Sequence, residues 1–173
     1  MERLVGNKAP DFRMNTCDGD GCNFGQVTLD DYKGKWLVMF FYPLDFTFVC
    51  PTEITGYSKR IHDFKELNTE VLSVSTDSEH SHKAWINSSL GKINFPMAAD
   101  MTKAVSRDYG VLIEEEGVAL RGLFIIDPEG IMRYSVVHDL NVGRSVDETL
   151  RVLRALQTGG LCPVDWDEGE NLL

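Results

Sequence analysis

The stretch that decides the fold is residues 36–53, which reads WLVMFFYPLDFTFVCPTE. Its first part, 36–42, is an unbroken apolar run rich in aromatic residues, and this predicts a strand buried on both faces, as in a parallel sheet. Pro43 ends the strand because proline has no N–H for the ladder. Thr47 is the predicted N-cap of a following helix, since apolar residues recur at helical spacing over 54–67.

Cys50 falls in the first turn of this predicted helix, three residues past Thr47. Free backbone N–H groups and the positive end of the helix dipole favour an anion at that place. A thiol there ionises more easily, and the thiolate is the reactive form. The alternative is an inert structural cysteine, because free cysteine is among the most buried residue types. The position favours the reactive thiol.

Composition indicates one globular domain. The chain has 173 residues, of which 43% are hydrophobic, and a net charge of −10. No basic cluster interrupts that charge, so nucleic acid is not an expected partner. Residues 1–10 hold no apolar segment typical of a secretory signal, and no apolar run is long enough to span a membrane. Four cysteines in such a chain indicate a reducing, cytoplasmic location, where thiols are more often catalytic or metal-binding than structural.

The rest of the chain alternates predicted strands and helices. A turn signal at 18–21 predicts a small N-terminal hairpin, and Ser145 with Glu148 forms a capping box that opens a last amphipathic helix. Further strands are expected at 70–76, 95–99, 119–126 and 131–137, and shorter helices near 78–86 and 102–109. This order predicts an α/β fold with a mixed central sheet in a thioredoxin-like arrangement, followed by a polar C-terminal arm without periodicity.

Thioredoxin-type enzymes pair two cysteines as C-x-x-C at a helix start, but here the fourth residue is Glu53 and the second thiol is missing. If Cys50 is a redox nucleophile, its partner thiol comes from elsewhere. Cys162, on the C-terminal arm, is the candidate, because an irregular arm can bring a thiol to a distant site. The alternative is an inert exposed thiol.

Arg121 lies in an otherwise apolar predicted strand and has two interpretations. It could be a charge that protects an edge strand from aggregation. It could also place a guanidinium beside the thiolate, where it would stabilise negative charge and donate to a substrate oxygen. The sequence alone does not separate the two.

The remaining cysteines and histidines do not predict a metal site. Cys17 and Cys22 have no further cysteine or histidine at ligand spacing, so structural zinc is improbable. His80 and His82 are two residues apart on a predicted helix and do not share a face, so we expect solvated side chains.

Residues 43–53 resemble the active-site signature of the peroxiredoxins, and residues 120–127, LRGLFIID, resemble the second signature of that family. Residues 160–163, GLCP, followed by Trp166, resemble the resolving-cysteine tail of its typical two-cysteine class. The resemblance covers essentially the whole chain in the same order. It implies a thioredoxin-like peroxidase domain over 1–160 and a C-terminal arm over 161–173.

The resemblance implies a role for each matched residue. Cys50 would be the peroxidatic cysteine and Cys162 the resolving one. Thr47 would hydrogen-bond the thiolate and the peroxide, and Arg121 would hold both electrostatically. The remaining family positions are structural or supporting: Pro43 would shield the site from water, Glu53 would orient the arginines of the pocket, and Trp85 would pack nearby without taking part in chemistry.

The activity implied is a thiol-dependent peroxidase for hydrogen peroxide and organic hydroperoxides that needs no cofactor and no metal. Cys50 and Cys162 of two chains would form a disulfide in a homodimer, and five such dimers would close into a ring. Thioredoxin or a related disulfide reductase would be the partner that restores the thiols. A redox sensor and a holdase chaperone are the alternatives, and neither has a distinct sequence mark.

One departure from the family concerns overoxidation. Sensitive members carry a Gly-Gly-Leu-Gly loop and a C-terminal helix ending in Tyr-Phe, which together cover the helix of the peroxidatic cysteine. Here the loop position, 88–91, reads SSLG, and the sequence printed here has no matching helix between Trp166 and Leu173. We therefore expect easier local unfolding and resistance to sulfinic acid formation.

Overall fold

The computed structural model of the protein describes residues 3–173. A seven-stranded mixed sheet has the order β2-β1-β5-β4-β3-β8-β9, and a small ladder pairs β6 with β7. The strands are β1 (Arg13–Cys17), β2 (Phe24–Thr28), β3 (Trp36–Phe41), β4 (Thr69–Ser75), β5 (Met97–Ala99), β6 (Leu112–Ile113), β7 (Val118–Ala119), β8 (Arg121–Ile126) and β9 (Met132–His138). The helices are α1 (Cys50–Lys59), α2 (Ile61–Glu66), α3 (Glu79–Trp85), α4 (Ala104–Asp108) and α5 (Val146–Thr158).

The central strand β3 carries the core on both of its faces. It pairs with β4 in parallel and with β8 in antiparallel register. Val38 and Phe40 pack in one apolar cluster with α1 and α5, whereas Met39 and Phe41 pack in a second cluster on the opposite face. This confirms the predicted doubly buried strand and the mixed sheet of a thioredoxin-like α/β fold.

The predicted cap of α1 is wrong. The helix begins at Cys50 with Val49 as N-cap, so Cys50 is its first residue instead of lying three residues past Thr47. The reason is that the hydroxyl of Thr47 donates to the carbonyl of Leu44 at 3.0 Å and does not accept from a helix N–H. Cys50 remains in the first turn, where N–H groups lack helical partners.

The C-terminal arm is irregular, as expected, but it is folded against α5. Trp166 is 4% exposed, and its carbonyl accepts from Arg151 at 2.8 Å. Arg154 also pairs with Glu168 at 3.2 Å. One buried aromatic ring therefore anchors a segment in which sequence periodicity is absent.

The expectation of solvated histidines is confirmed for His80, which is exposed, and is wrong for His82, which is 0% exposed. Helix α3 packs against β1 and β5. His82 and Trp85 are three residues apart, so they share the inner face of that helix. Within residues 3–173, no helix is long and apolar enough to cross a membrane.

Candidate active site

Cys50 lies at the junction of the β3–α1 loop and the first turn of α1. Its side chain is 0% exposed, and Arg121 Nη1 is 3.4 Å from its Sγ. A buried thiol beside a guanidinium and a helix N-terminus is placed where negative charge on sulfur is stabilised. This geometry differs from that of an inert core cysteine, which has only apolar neighbours.

Glu53 holds two arginines beside Cys50. Its carboxylate accepts from Arg121 Nη1 at 2.8 Å and from Arg144 Nε and Nη2, each at 2.8 Å. All three side chains are at most 4% exposed. Because one carboxylate pairs with two guanidinium groups, the buried cluster keeps a net positive charge facing the sulfur.

The ion pairs control the ionisation of Glu53. Burial alone would raise its pKa, but the hydrogen bonds and charge of Arg144, together with the charge of Arg121, hold the pKa below its ordinary value. A carboxyl whose pKa is lowered in the folded state stabilises the fold at pH values above its ordinary pKa. That contribution is lost as the pH falls through the lowered pKa.

The edge-strand interpretation of Arg121 is wrong. Its strand, β8, lies between β3 and β9 in the sheet, and the residue is 3% exposed. Besides its contacts with Cys50 and Glu53, Arg121 donates through Nε to the Leu140 carbonyl at 2.7 Å. These three contacts fix the plane of the guanidinium toward the thiol.

Arg144 is a site residue that the sequence analysis missed. Its backbone N–H also donates to Glu53, at 2.8 Å, and its Nη1 donates to the Gly122 carbonyl at 2.6 Å. A signal was present, because Arg144 directly precedes the Ser145 cap of α5. A cation at a helix N-terminus interacts unfavourably with the helix dipole, so a nearby anion is expected to compensate its charge.

Pro43 and Thr47 lie in the β3–α1 loop, which precedes Cys50 in the chain. Pro43 is half-buried, and Thr47 is half-buried with its hydroxyl directed to Leu44. The predicted hydrogen bond from Thr47 to the thiol is not among the contacts of residues 3–173. Trp85 packs near the loop, with its ring 5.8 Å from that of Phe46.

Cys162 lies away from Cys50. Its Sγ is 3.5 Å from the Thr158 hydroxyl and 3.6 Å from the Ala155 carbonyl, at the C-terminal end of α5. Arg144, which contacts Glu53 in the site, directly precedes the N-cap of α5, a helix of 13 residues. Cys162 lies beyond the other end of α5, so about 20 Å of helix separates it from the surroundings of Cys50. A disulfide needs Cα atoms within about 7 Å, and both cysteines are free.

Cys17 and Cys22 flank the β1–β2 turn, outside this site. Cys17 is buried, and burial followed by the neighbouring Asp18 charge raises the pKa of its thiol. Cys22 is exposed. No group of three potential metal ligands occurs within residues 3–173.

The comparisons with known proteins identify the family of the chain. The AhpC/TSA family model matches residues 5–135. The "Putative peroxiredoxin in rubredoxin operon" of Clostridium pasteurianum is 68% identical, and the match covers 100% of both chains. The chloroplastic 2-Cys peroxiredoxin BAS1 of Spinacia oleracea is 52% identical over 96% of this chain and 66% of its own length.

A solved structure extends the likeness to three dimensions. The reduced 2-Cys peroxiredoxin of Plasmodium vivax superposes with a TM-score of 0.96 at 39% identity, covering 99% of this chain and 93% of that one. The family model spans most of the chain, and the Clostridium relative matches throughout. The chain belongs to the AhpC/TSA family and is a peroxiredoxin, an enzyme that reduces peroxides with a cysteine thiol.

Proposed function

We propose that Cys50 is the nucleophile of this peroxidase and that Arg121 and Arg144, held by Glu53, stabilise the transition state. The observation that carries the proposal is the 3.4 Å approach of Arg121 Nη1 to the buried Cys50 sulfur. Cys50 is also the first residue of α1, so backbone N–H groups face the same region. Preorganised donors of this kind act most strongly in a water-excluded site.

The reaction that fits this arrangement is a nucleophilic displacement at oxygen. The Cys50 thiolate attacks one peroxide oxygen, and an S–O bond forms as the O–O bond breaks. The electron pair leaves with the second oxygen, which takes a proton and departs as water or an alcohol. Cys50 is thereby oxidised by two electrons to a sulfenic acid, while hydrogen peroxide or an organic hydroperoxide is reduced.

Supporting roles follow for the other matched residues. Glu53 orients both arginines, which is supported by its three 2.8 Å side-chain contacts with them. Pro43 shields the thiol from water. Thr47 hydrogen-bonds the thiolate and the peroxide once its hydroxyl turns from the Leu44 carbonyl, which it can do because a hydroxyl rotates to suit its partner.

Cys162 of a second chain resolves the sulfenic acid. Its thiolate attacks the sulfur of Cys50, an S–S bond forms, and hydroxide leaves to become water with one proton. The placement of the two thiols near opposite ends of α5 supports a bond between chains, because the domain (1–160) and the arm (161–173) of one chain keep them apart. The assembly is a homodimer in which two such disulfides form, and five dimers close into a ring.

Thioredoxin or a related disulfide reductase restores the enzyme. A dithiol attacks the Cys50–Cys162 disulfide through a mixed disulfide and is itself oxidised. Cys162 is half-buried and lines a groove together with Ala155, Leu156 and Pro163, and this supports attack at its sulfur. Neither a metal nor an organic cofactor takes part in these steps.

The Cys162→Ser variant tests resolution. We expect one peroxide to be consumed for each Cys50 and then no recycling by a disulfide reductase, because no resolving thiol remains. On non-reducing gels, peroxide-treated wild type should show a dimer band that the variant lacks. Cys22→Ser, which removes an exposed thiol outside the site, is the matched control. A disulfide confined to one chain would contradict the intersubunit step.

Resistance to overoxidation is a second expected result. The 88–91 segment reads SSLG, and its exposed serines occur in a π-helical turn over Ile86–Leu90. If opening of the first turn of α1 is easy, disulfide formation outruns attack of a second peroxide on the sulfenic acid. Mass spectrometry of Cys50 during turnover across a peroxide series should detect little sulfinic acid. Extensive sulfinylation at low micromolar peroxide would refute this expectation.

A further inference from the structure

Two helices contribute charged groups to the site, and they pack against each other. Helix α1 carries Cys50 and Glu53, whereas Arg144 lies two residues before Val146, the first residue of α5. A Cβ atom placed on Gly56 of α1 would lie 3.5 Å from Val146 Cγ2, so the helices are in close contact at the start of α5. The position of Arg144 relative to the thiol therefore depends on how α1 and α5 are packed.

One buried hydrogen bond joins these two helices. The hydroxyl of Tyr57 on α1 lies 2.8 Å from the hydroxyl of Thr149 on α5, and both residues are buried. The Thr149 hydroxyl donates its only proton to the Ser145 carbonyl at 2.9 Å, so Tyr57 is the donor of the bond between the helices. Burial raises the pKa of Tyr57 to about 12. The tyrosine therefore keeps its proton, and the bond persists, throughout the neutral pH range.

The ring of Tyr57 supports the guanidinium of Arg144 through Phe40. The Tyr57 and Phe40 rings are stacked, with their centroids 4.7 Å apart and an angle of 24° between their planes. Arg144 Cζ lies 5.1 Å from the centroid of the same Phe40 ring, a distance at which a cation is attracted to an aromatic ring. Because protein interiors are close-packed, a shift of the Tyr57 ring would also displace Phe40 and the guanidinium beside it.

Tyr57 gives α1 a second point of attachment to α5. Glu53 and Tyr57 are four residues apart on α1, so they share one face of that helix. Glu53 holds Arg144, just before α5, whereas Tyr57 holds Thr149, one turn inside it. The Glu53 contact alone would leave the helices free to pivot about it. The second contact fixes their relative angle and, with it, the direction of the Arg144 side chain.

We propose that Tyr57 is a positioning residue of the peroxidase, which holds Arg144 toward Cys50 through its hydroxyl bond to Thr149 and its ring contact with Phe40. This inference rests on the proposed function, in which Arg144 stabilises the transition state, and adds a residue that acts through Arg144. Within residues 3–173, the hydroxyl of Tyr57 bonds to Thr149 and not to the Cys50 sulfur.

Tyr57→Phe removes the hydroxyl and keeps the ring on Phe40. The Thr149 hydroxyl retains its bond to the Ser145 carbonyl, so no buried donor is left unpaired and the fold should survive. We expect the rate of Cys50 oxidation by hydrogen peroxide to fall about fivefold, the size for one hydrogen bond between uncharged groups. The rate is measured in a single turnover with Cys162→Ser present in every protein, so that no disulfide step contributes.

The matched control is Tyr109→Phe, the same substitution at another buried tyrosine. The Tyr109 hydroxyl donates to the Pro10 carbonyl at 2.7 Å, and its ring packs in the apolar cluster on the opposite face of the sheet. Both variants lose one buried hydrogen bond, so their thermal unfolding midpoints should fall by similar amounts. Only Tyr57→Phe should slow the oxidation of Cys50. Equal slowing in the two variants would show a general effect of stability and would overturn the proposal.

Substitutions of Thr149 test the same bond from α5 without altering a charged residue. Thr149→Ser keeps the hydroxyl and should oxidise Cys50 at nearly the wild-type rate. Thr149→Val removes the hydroxyl and should be about as slow as Tyr57→Phe, because both changes delete one bond of the size given above. Combining Tyr57→Phe with Thr149→Val should cause no further loss, since the two residues act as a pair. Slow oxidation in Thr149→Ser, or independent losses that multiply, would contradict the proposal.

A double-mutant cycle with Arg144→Gln tests whether Tyr57 acts through Arg144. Arg144→Gln alone should slow the oxidation of Cys50 by about 10², at the lower end for one preorganised donor. Adding Tyr57→Phe should then change nothing, and a fivefold loss that persists would overturn the proposal. Wild-type speed in Arg144→Gln refutes the proposed role of Arg144 and this inference with it. Slow Arg144→Gln beside an unchanged Tyr57→Phe refutes the role of Tyr57 alone.

Discussion

Cys50→Ser should consume no peroxide at all, in either single or multiple turnovers. A serine hydroxyl stays protonated at neutral pH even beside Arg121, so the site keeps its donors but lacks the nucleophile. The side chains differ by one atom in a 0% exposed position, so the fold should survive. The measurement is peroxide consumption with a thioredoxin system, together with thermal unfolding of the same preparation.

The matched control is Cys22→Ser, which removes an exposed thiol and should leave peroxide turnover unchanged. If Cys50→Ser retained turnover while Cys22→Ser lost it, a different cysteine would be the nucleophile. Equal loss in both variants would indicate general damage to the protein.

Arg121→Ala should lower kcat/KM for peroxide by about 10² to 10³, the usual effect of removing one preorganised donor to a transition state. Arg121 is the guanidinium found 3.4 Å from the Cys50 sulfur. Arg121→Lys restores the charge but cannot donate to the Leu140 carbonyl, Glu53 and the sulfur in one plane, so it should recover only part of the activity. The rate of Cys50 oxidation in a single turnover measures the effect directly.

The loss should be kinetic more than structural, because Arg144 still pairs with Glu53 through two side-chain bonds of 2.8 Å. Thermal unfolding of Arg121→Ala tests this point separately from activity. Arg13→Ala is the control, since Arg13 is an exposed strand residue bonded to Gln26 at 2.8 Å. Unchanged oxidation of Cys50 in Arg121→Ala would remove Arg121 from the proposed mechanism.

Local sequence determined the framework of this protein. The apolar run at 36–42, the proline that follows it and the helical periodicity after Cys50 depend on neighbours within a few residues, so they predicted β3, α1 and a thiol in the first turn. The Ser145 capping box likewise marked the start of α5. Residue chemistry singled out Arg121 and Cys162, and family resemblance added Thr47 and gave all three a role; of these three, the structure brings only Arg121 into contact with Cys50.

Tertiary packing decided the rest. Arg144 reaches Glu53 across 91 residues of chain, and no spacing rule links them. His82 is buried because α3 turns that face toward β5, which makes a polar residue a neighbour of Asp45. Trp166 anchors an arm that has no periodicity. In each case the partner lies far along the chain, and such contacts exist only once the sheet has placed the separate segments side by side.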